Sequence, residues 1–217
     1  MSTKKRTAIL ISGRGSNMQS LVEASRAPDY PAEIVLVASN RPEAPGIAWA
    51  RAQGVRTAVV DHKHYPSRAA FEGALQAILD EHDVELVALA GFMRLMTPAF
   101  VEHWRDRMIN IHPSLLPSFK GLHTHERAIA AGVKIAGCTV HFVRPEMDEG
   151  PIIAQAAVPV LVDDNPDTLA ARVLAVEHRV YPAALRLVAA GQAHGDCEKV
   201  TINQHSGEMN SLFSPAI

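Results

Sequence analysis

The fold class follows from the stretch Thr7-Ala8-Ile9-Leu10-Ile11-Ser12-Gly13-Arg14-Gly15-Ser16-Asn17. Its apolar first half predicts a buried strand, and Met18, Leu21 and Val22 after it have the spacing of a helix face. The glycines in between predict a tight loop, so the chain begins as strand, glycine loop and helix. Backbone N–H groups and the positive end of the helix dipole meet at such a junction, and phosphate is its usual ligand.

The glycine loop fits a single phosphate better than a larger nucleotide. A dinucleotide-binding loop would need a third glycine where Met18 stands, and a P-loop would need Gly-Lys followed by Ser or Thr. A purely structural turn that needs glycine for its positive φ explains the same residues about as well. Both interpretations stay open from this stretch alone.

The alternation of strands and helices continues along the chain. Apolar runs predict strands at 33–38, 57–60, 85–90 and 108–112, with helices at about 46–53 and for about 14 residues after Ser67. This order predicts an α/β fold with a Rossmann-like, mostly parallel sheet and helices on both faces. Each run ends in small or polar residues, and that carboxyl edge is where such sheets bind ligands.

The pattern changes in the C-terminal half. We expect a helix at 124–131, then strands at 135–144 and 152–160 that pair antiparallel, because the seven turn-prone residues between them leave no room for a crossover helix. A long helix should follow Asn165 and kink at Pro182. We predict one domain over 1–217, with a phosphate-binding half (about 1–105), a catalytic half (about 106–190) and a weakly patterned tail (191–217) that holds at most a hairpin.

Composition favours an intracellular protein that binds small molecules. Hydrophobic residues make up 47% and charged residues 20%, as in ordinary globular proteins, and a net charge of −2 provides no field that would attract nucleic acid or a membrane. The apolar run Ala8–Ile11 is too short for a signal peptide, and none approaches the length of a membrane helix. Cys138 and Cys197 are not spaced as a redox or metal pair, which suits the cytoplasm.

Asn110 and His112 are the candidate catalytic residues. They stand two apart at the end of the fifth strand, so both side chains leave the same face of the sheet. An amide can donate to an oxyanion, and an imidazole can transfer a proton near neutral pH. A hydrogen-bonded histidine at a strand end is the simpler interpretation of these residues alone.

A carboxylate partner for His112 is available in the loop that contains Glu146, Asp148 and Glu149. Such a partner would keep the pKa of the imidazole at or above about 6.5 and allow it to donate a proton. The sequence does not say which of the three is close. Glu177, at the border of the last helix's apolar face, is either a solvated rim residue or a ligand contact.

No metal site is predicted. His62-Lys63-His64 and His123-Thr124-His125 have an i, i+2 spacing without the third ligand and carboxylate partner of a catalytic site. His141 alternates with apolar residues, which favours a core histidine. Whether His123, His125 and His141 support the site or only the fold stays open.

Three segments bring these features together: Gly91-Phe92-Met93-Arg94, Asn110-Ile111-His112-Pro113-Ser114-Leu115-Leu116-Pro117 and Asp148-Glu149-Gly150-Pro151. Together they resemble the 10-formyltetrahydrofolate-dependent formyltransferases. The segments 12–17, 121–125 and 177–182 extend the likeness to family members that act on glycinamide ribonucleotide, over about residues 6 to 190. The resemblance implies transfer of the formyl group from N10 of 10-formyltetrahydrofolate, a cosubstrate, to the amine of that nucleotide, without a metal.

The resemblance also implies a role for each matching residue. Asn110 and protonated His112 would stabilise the oxyanion, with His112 as proton donor and Asp148 sustaining its charge. Residues expected to hold the nucleotide are Gly15, Ser16, Asn17 and Glu177. Residues expected to contact the folate are Arg68, Met93, Arg94, Leu95, Met96, Asn110, Arg144 and Asp148, with Arg68 and Arg94 at its anionic glutamate tail.

Three alternatives remain beside this interpretation. Formyl transfer to initiator methionyl-tRNA would call for an additional basic domain, and here only a weak tail follows Gly191. Hydrolysis of the formyl-folate would use the same Asn, His and Asp. A non-catalytic nucleotide-binding module of Rossmann type is the third. For the formyltransferase interpretation we expect a monomer or a weak homodimer.

Overall fold

The computed structural model describes residues 4–196 and 199–202. The strands are β1 (Lys5–Ile11), β2 (Ala32–Ser39), β3 (Thr57–Val59), β4 (Leu86–Leu89), β5 (Met108–His112), β6 (Ile135–Phe142), β7 (Ile152–Pro159), β8 (Ala193–Asp196) and β9 (Lys199–Ile202). The helices are α1 (Ser16–Ser25), α2 (Pro45–Ala52), α3 (Arg68–Glu81), α4 (Pro98–His103), α5 (Thr124–Ala130) and α6 (Pro166–Ala189), and a 3-10 turn spans His62–His64.

Seven strands form one mixed sheet in the order β3-β2-β1-β4-β5-β6-β7. The first five strands are parallel, β6 is antiparallel to β5, and β7 is antiparallel to β6. The predicted parallel sheet with antiparallel strands in the C-terminal half is therefore confirmed. The chain order reverses between β1 and β4, and such a switch point opens a crevice at the carboxyl ends of the strands.

The central strands are buried on both faces, as a parallel sheet requires. Along β1, Ile9 and Ile11 join the core on the side of α1 and α6, whereas Ala8 and Leu10 join the core on the side of α3 and α4. Successive residues of a strand point to opposite faces, which explains this division. The polar residues that follow these strands lie at the carboxyl edge of the sheet.

Helix α4, which connects β4 to β5, is absent from the sequence prediction. It has only six residues, too few for an apolar periodicity to stand out. Its start signal is present, however: Thr97 accepts a hydrogen bond from the N–H of Phe100 as N-cap, and Pro98 occupies the first turn. The buried Glu72 on α3 accepts from the N–H of Thr97 at 2.7 Å and holds this end in place.

The C-terminal elements agree with the remaining predictions, and β8 and β9 pair as an antiparallel hairpin. Helix α6 continues through Pro182 as one 24-residue helix, so the predicted kink stays untested. The rest of the tail, 203–217, lies outside the described residues, as does Cys197. None of the helices in residues 4–196 and 199–202 combines the length and the hydropathy that crossing a membrane requires.

Candidate active site

Strand β5 presents Asn110 and His112 at the carboxyl edge of the sheet, as predicted. His112 is buried and Asn110 is half-buried. The antiparallel neighbour β6 places His141 opposite Asn110 and Thr139 opposite His112. A second histidine therefore stands beside the candidate pair, and only the pairing of β5 with β6 brings it there.

Asp148 is the carboxylate that contacts His112. Its Oδ2 lies 3.3 Å from Nδ1 of His112 and also accepts the N–H of Gly121 at 2.9 Å. The backbone of Asp148 has φ 57, a left-handed conformation that turns this side chain inward. Glu146 is exposed and Glu149 pairs with Lys120 at 2.7 Å. The choice among the three carboxylates, open in the sequence, is made by this turn.

The other ring nitrogen of His112 also faces an acceptor. Nε2 lies 3.0 Å from the carbonyl oxygen of Phe119 in the loop after β5. An imidazolium has a donor on both nitrogens, whereas a neutral ring has only one. An imidazolium at His112 would therefore face the carboxylate of Asp148 with one ring nitrogen and the carbonyl of Phe119 with the other.

The second histidine, His141, contacts Asn110. Its Nε2 lies 3.2 Å from Nδ2 of Asn110 and 3.9 Å from Oδ1 of Asp148, while its Nδ1 lies 2.9 Å from the carbonyl oxygen of Phe142. Burial, the largest influence, lowers the pKa of His141. The side chain is buried, as the core interpretation predicts, and it also touches the candidate site.

A cavity of about 340 Å³ opens at the glycine loop. Gly15 has φ 70 and immediately precedes α1, so the N-terminus of α1 points into the cavity. Arg14 and Arg41 bring positive charge, and neither guanidinium has a partner in the part of the chain that the structure describes. The lining comprises Ser12, Gly13, Arg14, Gly15, Ser16, Asn17, Arg41, Ala90, Gly91 and Met93. Arg41 follows β2 at the carboxyl edge, where ligands are expected, but it is not among the predicted nucleotide residues.

Glu177 reaches the same region from α6. Its carboxylate accepts from Nδ2 of Asn17 at 2.6 Å, and burial raises its pKa. Oδ1 of Asn17 is buried and has no hydrogen-bond partner within residues 4–196 and 199–202. A buried acceptor without a donor is costly, so this atom suits a ligand that brings an N–H or O–H group.

Ser12 connects the glycine loop to the segment after β4. Its buried hydroxyl donates to Oδ1 of Asn40 at 2.6 Å and accepts the N–H of Met93 at 2.8 Å. Asn40 is also buried and contacts His62, so that histidine belongs to a hydrogen-bonded network. The two predicted binding segments therefore share one buried hydroxyl.

The predicted folate residues have different surroundings. Met93 and Leu95 are exposed, as are Leu122 and Met147, and exposed large apolar side chains are typical of binding surfaces. Arg68 is exposed at the start of α3, Met96 packs against the core, and Nε of Arg94 is buried without a partner among the described residues.

Arg144 is the predicted folate residue whose side chain is engaged elsewhere. It is buried, and Nη2 lies 2.7 Å from Oδ1 of Asp106. This ion pair lies beside Gly195 in β8. A folate contact from Arg144 would therefore have to come from its backbone.

The described residues contain no group of three or more His, Cys, Asp or Glu side chains that could hold a metal ion. His123 lies 3.3 Å from Glu126 on the exposed surface, and His125 lines a separate cavity of about 110 Å³ with Pro113 and Ala128. His123 is thus on the surface and His125 lines a cavity, while His62 belongs to the hydrogen-bonded network around Asn40.

The comparisons with known proteins agree with one another. The model of the formyl transferase family matches residues 5–185. The trifunctional purine biosynthetic protein adenosine-3 of Gallus gallus is 48% identical over 198 residues, which are 91% of this chain and 20% of that protein. The chain therefore spans about a fifth of the length of this relative.

Shorter relatives match along most of their length. Phosphoribosylglycinamide formyltransferase of Escherichia coli (strain K12) is 42% identical over 184 residues, which are 85% of this chain and 87% of that protein. The crystal structure of glycinamide ribonucleotide transformylase 1 from Symbiobacterium toebii superposes with a TM-score of 0.89 at 46% identity, covering 92% of this chain and 94% of the other. Sequence and fold thus point to the same group of proteins.

Proposed function

The chain belongs to the formyl transferase family, and we propose that it transfers the formyl group of 10-formyltetrahydrofolate to the amine of glycinamide ribonucleotide in purine biosynthesis. The observation that supports this most is the meeting of Asn110, His112 and Asp148 at the carboxyl edge of the sheet, with Asp148 at 3.3 Å from His112. This set combines an amide donor with a histidine and its carboxylate. An oxyanion donor and a positioned proton donor are groups that accelerate acyl transfer.

The glycine-loop cavity would bind the nucleotide. Gly15, Ser16 and Asn17 stand at the N-terminus of α1, where backbone N–H groups and the helix dipole favour a phosphate. Arg14 and Arg41 would add charge of the matching sign. Oδ1 of Asn17, which has no partner among the described residues, and the carboxyl group of Glu177 would accept from the hydroxyl or amine donors of the ribose and glycinamide end.

The folate would lie against the segment Met93–Met96 and the loop 144–148. The exposed side chains of Met93, Leu95 and Met147 offer apolar surface for a pterin. Arg68 and Arg94 would attract the anionic glutamate tail. Because the hydroxyl of Ser12 joins Met93 to the glycine loop, the folate segment would be held in register with the nucleotide cavity.

The chemistry follows from where the donors stand. The neutral amine attacks the formyl carbon, a C–N bond forms, and the carbonyl oxygen becomes an oxyanion that Asn110 and His112 stabilise. The C–N10 bond then breaks as N10 takes a proton from His112. The attacking amine loses one proton, so the total number of protons is the same before and after the reaction. His112 must first exchange its contact with the carbonyl of Phe119 for one with the substrate.

Turnover with different acceptors tests the function. The full chain with 10-formyltetrahydrofolate should release tetrahydrofolate only when glycinamide ribonucleotide is present, in a one-to-one ratio with the formylated nucleotide. Release at an equal rate in water alone would establish a hydrolase, and release that requires methionyl-tRNA would establish the sibling transferase. Nucleotide binding by calorimetry without turnover would favour the non-catalytic module.

A pair of matched variants tests, in the same turnover assay, whether His112 is the histidine that acts. His112→Asn should abolish most turnover but keep nucleotide binding, because His112 lies outside the glycine-loop cavity. His82→Gln replaces a histidine near the opposite edge of the sheet, where the backbone of His82 accepts from Arg6, and should be as active as the unchanged chain. As part of the same proposal, the chain acts in the cytoplasm as a single domain over 1–217, as a monomer or a weak homodimer.

A further inference from the structure

His141 has no part in the mechanism above, yet it contacts Asn110 directly and lies close to Asp148. We propose that His141 is a positioning residue: as a neutral ring protonated on Nδ1, it orients the side-chain amide of Asn110 so that an N–H group is aimed at the reacting centre. The proposal rests on the proposed function, because the oxyanion is what that N–H would meet.

Hydrogen-bond chemistry determines the tautomer. Nδ1 of His141 lies 2.9 Å from the carbonyl oxygen of Phe142, which can only accept, so Nδ1 has to carry the hydrogen. In the neutral ring Nε2 is then an acceptor. The atom of Asn110 that lies 3.2 Å from it must be a donor, which is the amide nitrogen and never the amide oxygen.

This contact decides which end of Asn110 faces the site. A free asparagine amide can rotate by half a turn at little cost, exchanging its donor for its acceptor. The ring of His141 opposes this rotation, because its Nε2 lone pair would then face the amide oxygen. The nitrogen of Asn110 is thus held on the side of His141 and Asp148, and its second N–H stays available to an oxyanion.

The charge state of His141 matters to both neighbours. Burial is the main cause that lowers its pKa, and the nearby charges of His112 and Arg144 act in the same direction, whereas Asp148 and the carbonyl of Phe142 oppose them. An imidazolium at this position would have a donor on Nε2, which would repel the NH₂ of Asn110. It would also attract Asp148 away from His112, since Oδ1 of Asp148 is only 3.9 Å away. A neutral His141 leaves both partners in place.

Nitrogen-15 NMR of the unchanged full-length chain tests the tautomer without any need for turnover. At neutral pH the ring of His141 should show a protonated Nδ1 and an unprotonated Nε2. An imidazolium, or a ring protonated on Nε2, would overturn the proposal. Because this readout is independent of formyl transfer, an inactive chain with the expected tautomer would contradict the proposed function alone.

Kinetics of variants tests the positioning. His141→Leu should lower kcat by roughly tenfold or more, the size of one lost hydrogen bond, with both KM values within about threefold of the unchanged chain. His141→Gln should recover much of kcat, because Oε1 of glutamine can replace Nε2 as the acceptor. The double variant His141→Leu with Asn110→Ala should be no slower than Asn110→Ala, since both changes remove the same donor.

Other results would reject the role of His141. Losses that multiply in the double variant would show that the two residues act independently, and a His141→Leu variant with normal kcat would show a purely structural histidine. If His141→Leu fails to fold, the His141→Gln variant and the NMR tautomer still decide. His82→Gln is the matched control for a histidine substitution, and its kcat should be unchanged.

Discussion

Asn110 is the residue whose removal tests the oxyanion most directly. Asn110→Ala deletes the amide donor, and kcat should fall by on the order of 10²-fold or more if the donor serves an oxyanion. Both KM values should change much less, because the interaction is made mainly in the transition state. Steady-state kinetics with both substrates measures this split. A loss of kcat below about threefold would remove Asn110 from the mechanism.

Asp148 can be compared with the carboxylate beside it in the chain. Asp148→Asn keeps an acceptor for Nδ1 of His112 but removes the negative charge 3.3 Å away, so kcat should fall by about 10²-fold or more. Glu149→Gln is the matched control, because Glu149 pairs with Lys120 on the surface, and its kcat should stay unchanged. Equal losses in the two variants would indicate that charge in the loop matters and the contact with His112 does not.

The sequence predicts part of this site and misses part for a physical reason. The strand period of two is enough to place Asn110 and His112 on one face of the sheet. The left-handed turn at Asp148 selects one carboxylate of three, and no periodicity carries that information. The contact of His141 with Asn110 depends on the register between β5 and β6, which is a tertiary property.

At the scale of elements, the loop between β6 and β7 is held by a close backbone approach at Gly150. A Cβ atom there would overlap with the carbonyl oxygen of Phe142. Gly150→Ala should therefore displace the loop that contains Asp148 and lower kcat by roughly tenfold or more, although it changes no reacting group. Kinetics together with the free energy of unfolding measures both effects.

Gly73 supplies the control for Gly150. It lies inside α3, and a Cβ atom there would meet nothing within 4 Å. Gly73→Ala should keep kcat and stabilise the fold by about 0.5–1 kcal/mol, because alanine loses less entropy in a helix. Unchanged activity in Gly150→Ala would show that the loop adjusts without moving Asp148.

Elements were predictable where a pattern was long enough. The strands of the sheet and helices α3 and α6 follow from apolar periodicity and from their N-caps Ser67 and Asn165. Helix α4 needed its Thr97-Pro98 start to be recognised, because six residues form less than two turns. The order β3-β2-β1-β4-β5 adds the switch point, which is set by how the chain crosses the sheet.

At the scale of the whole molecule, buried His141 should make stability depend on pH. Its pKa is lowered from 6.5 in the folded chain, so the unfolded chain binds the proton more tightly. Its contribution to stability is therefore complete above about pH 6.5 and is lost as the pH falls through the lower, folded value. His125 and His178, whose pKa values burial also lowers, act in the same direction, whereas the raised pKa of Glu177 acts in the opposite one.

The variant His141→Gln isolates the contribution of His141 to the pH dependence of stability. In His141→Gln that contribution is missing, so the free energy of unfolding should fall less than in the unchanged chain between about pH 7 and about pH 5. Denaturant unfolding at several pH values measures the difference between the two chains. Parallel curves would mean that His141 titrates alike in the folded and unfolded chains.

Helix α6 joins the two halves of the chain through one buried tyrosine. The hydroxyl of Tyr181 donates to the carbonyl of Leu89 in β4 at 2.8 Å and lies 3.3 Å from that of Ile109 in β5. Tyr181→Phe should lower the free energy of unfolding by about 1–2 kcal/mol, because it leaves a buried acceptor with one donor fewer. If the chain is one cooperative domain, fluorescence and circular dichroism should report the same shifted transition.

Tyr65 provides the comparison. It packs edge-on against Phe71, and its hydroxyl has no hydrogen bond among the residues that the structure describes. Tyr65→Phe keeps that packing, so its free energy of unfolding should stay within about 0.5 kcal/mol of the unchanged chain. Two separate transitions, with only one displaced by Tyr181→Phe, would instead show that the halves fold independently. In that case the single sheet would be the product of docking two units, and the site at its carboxyl edge would form only after they meet.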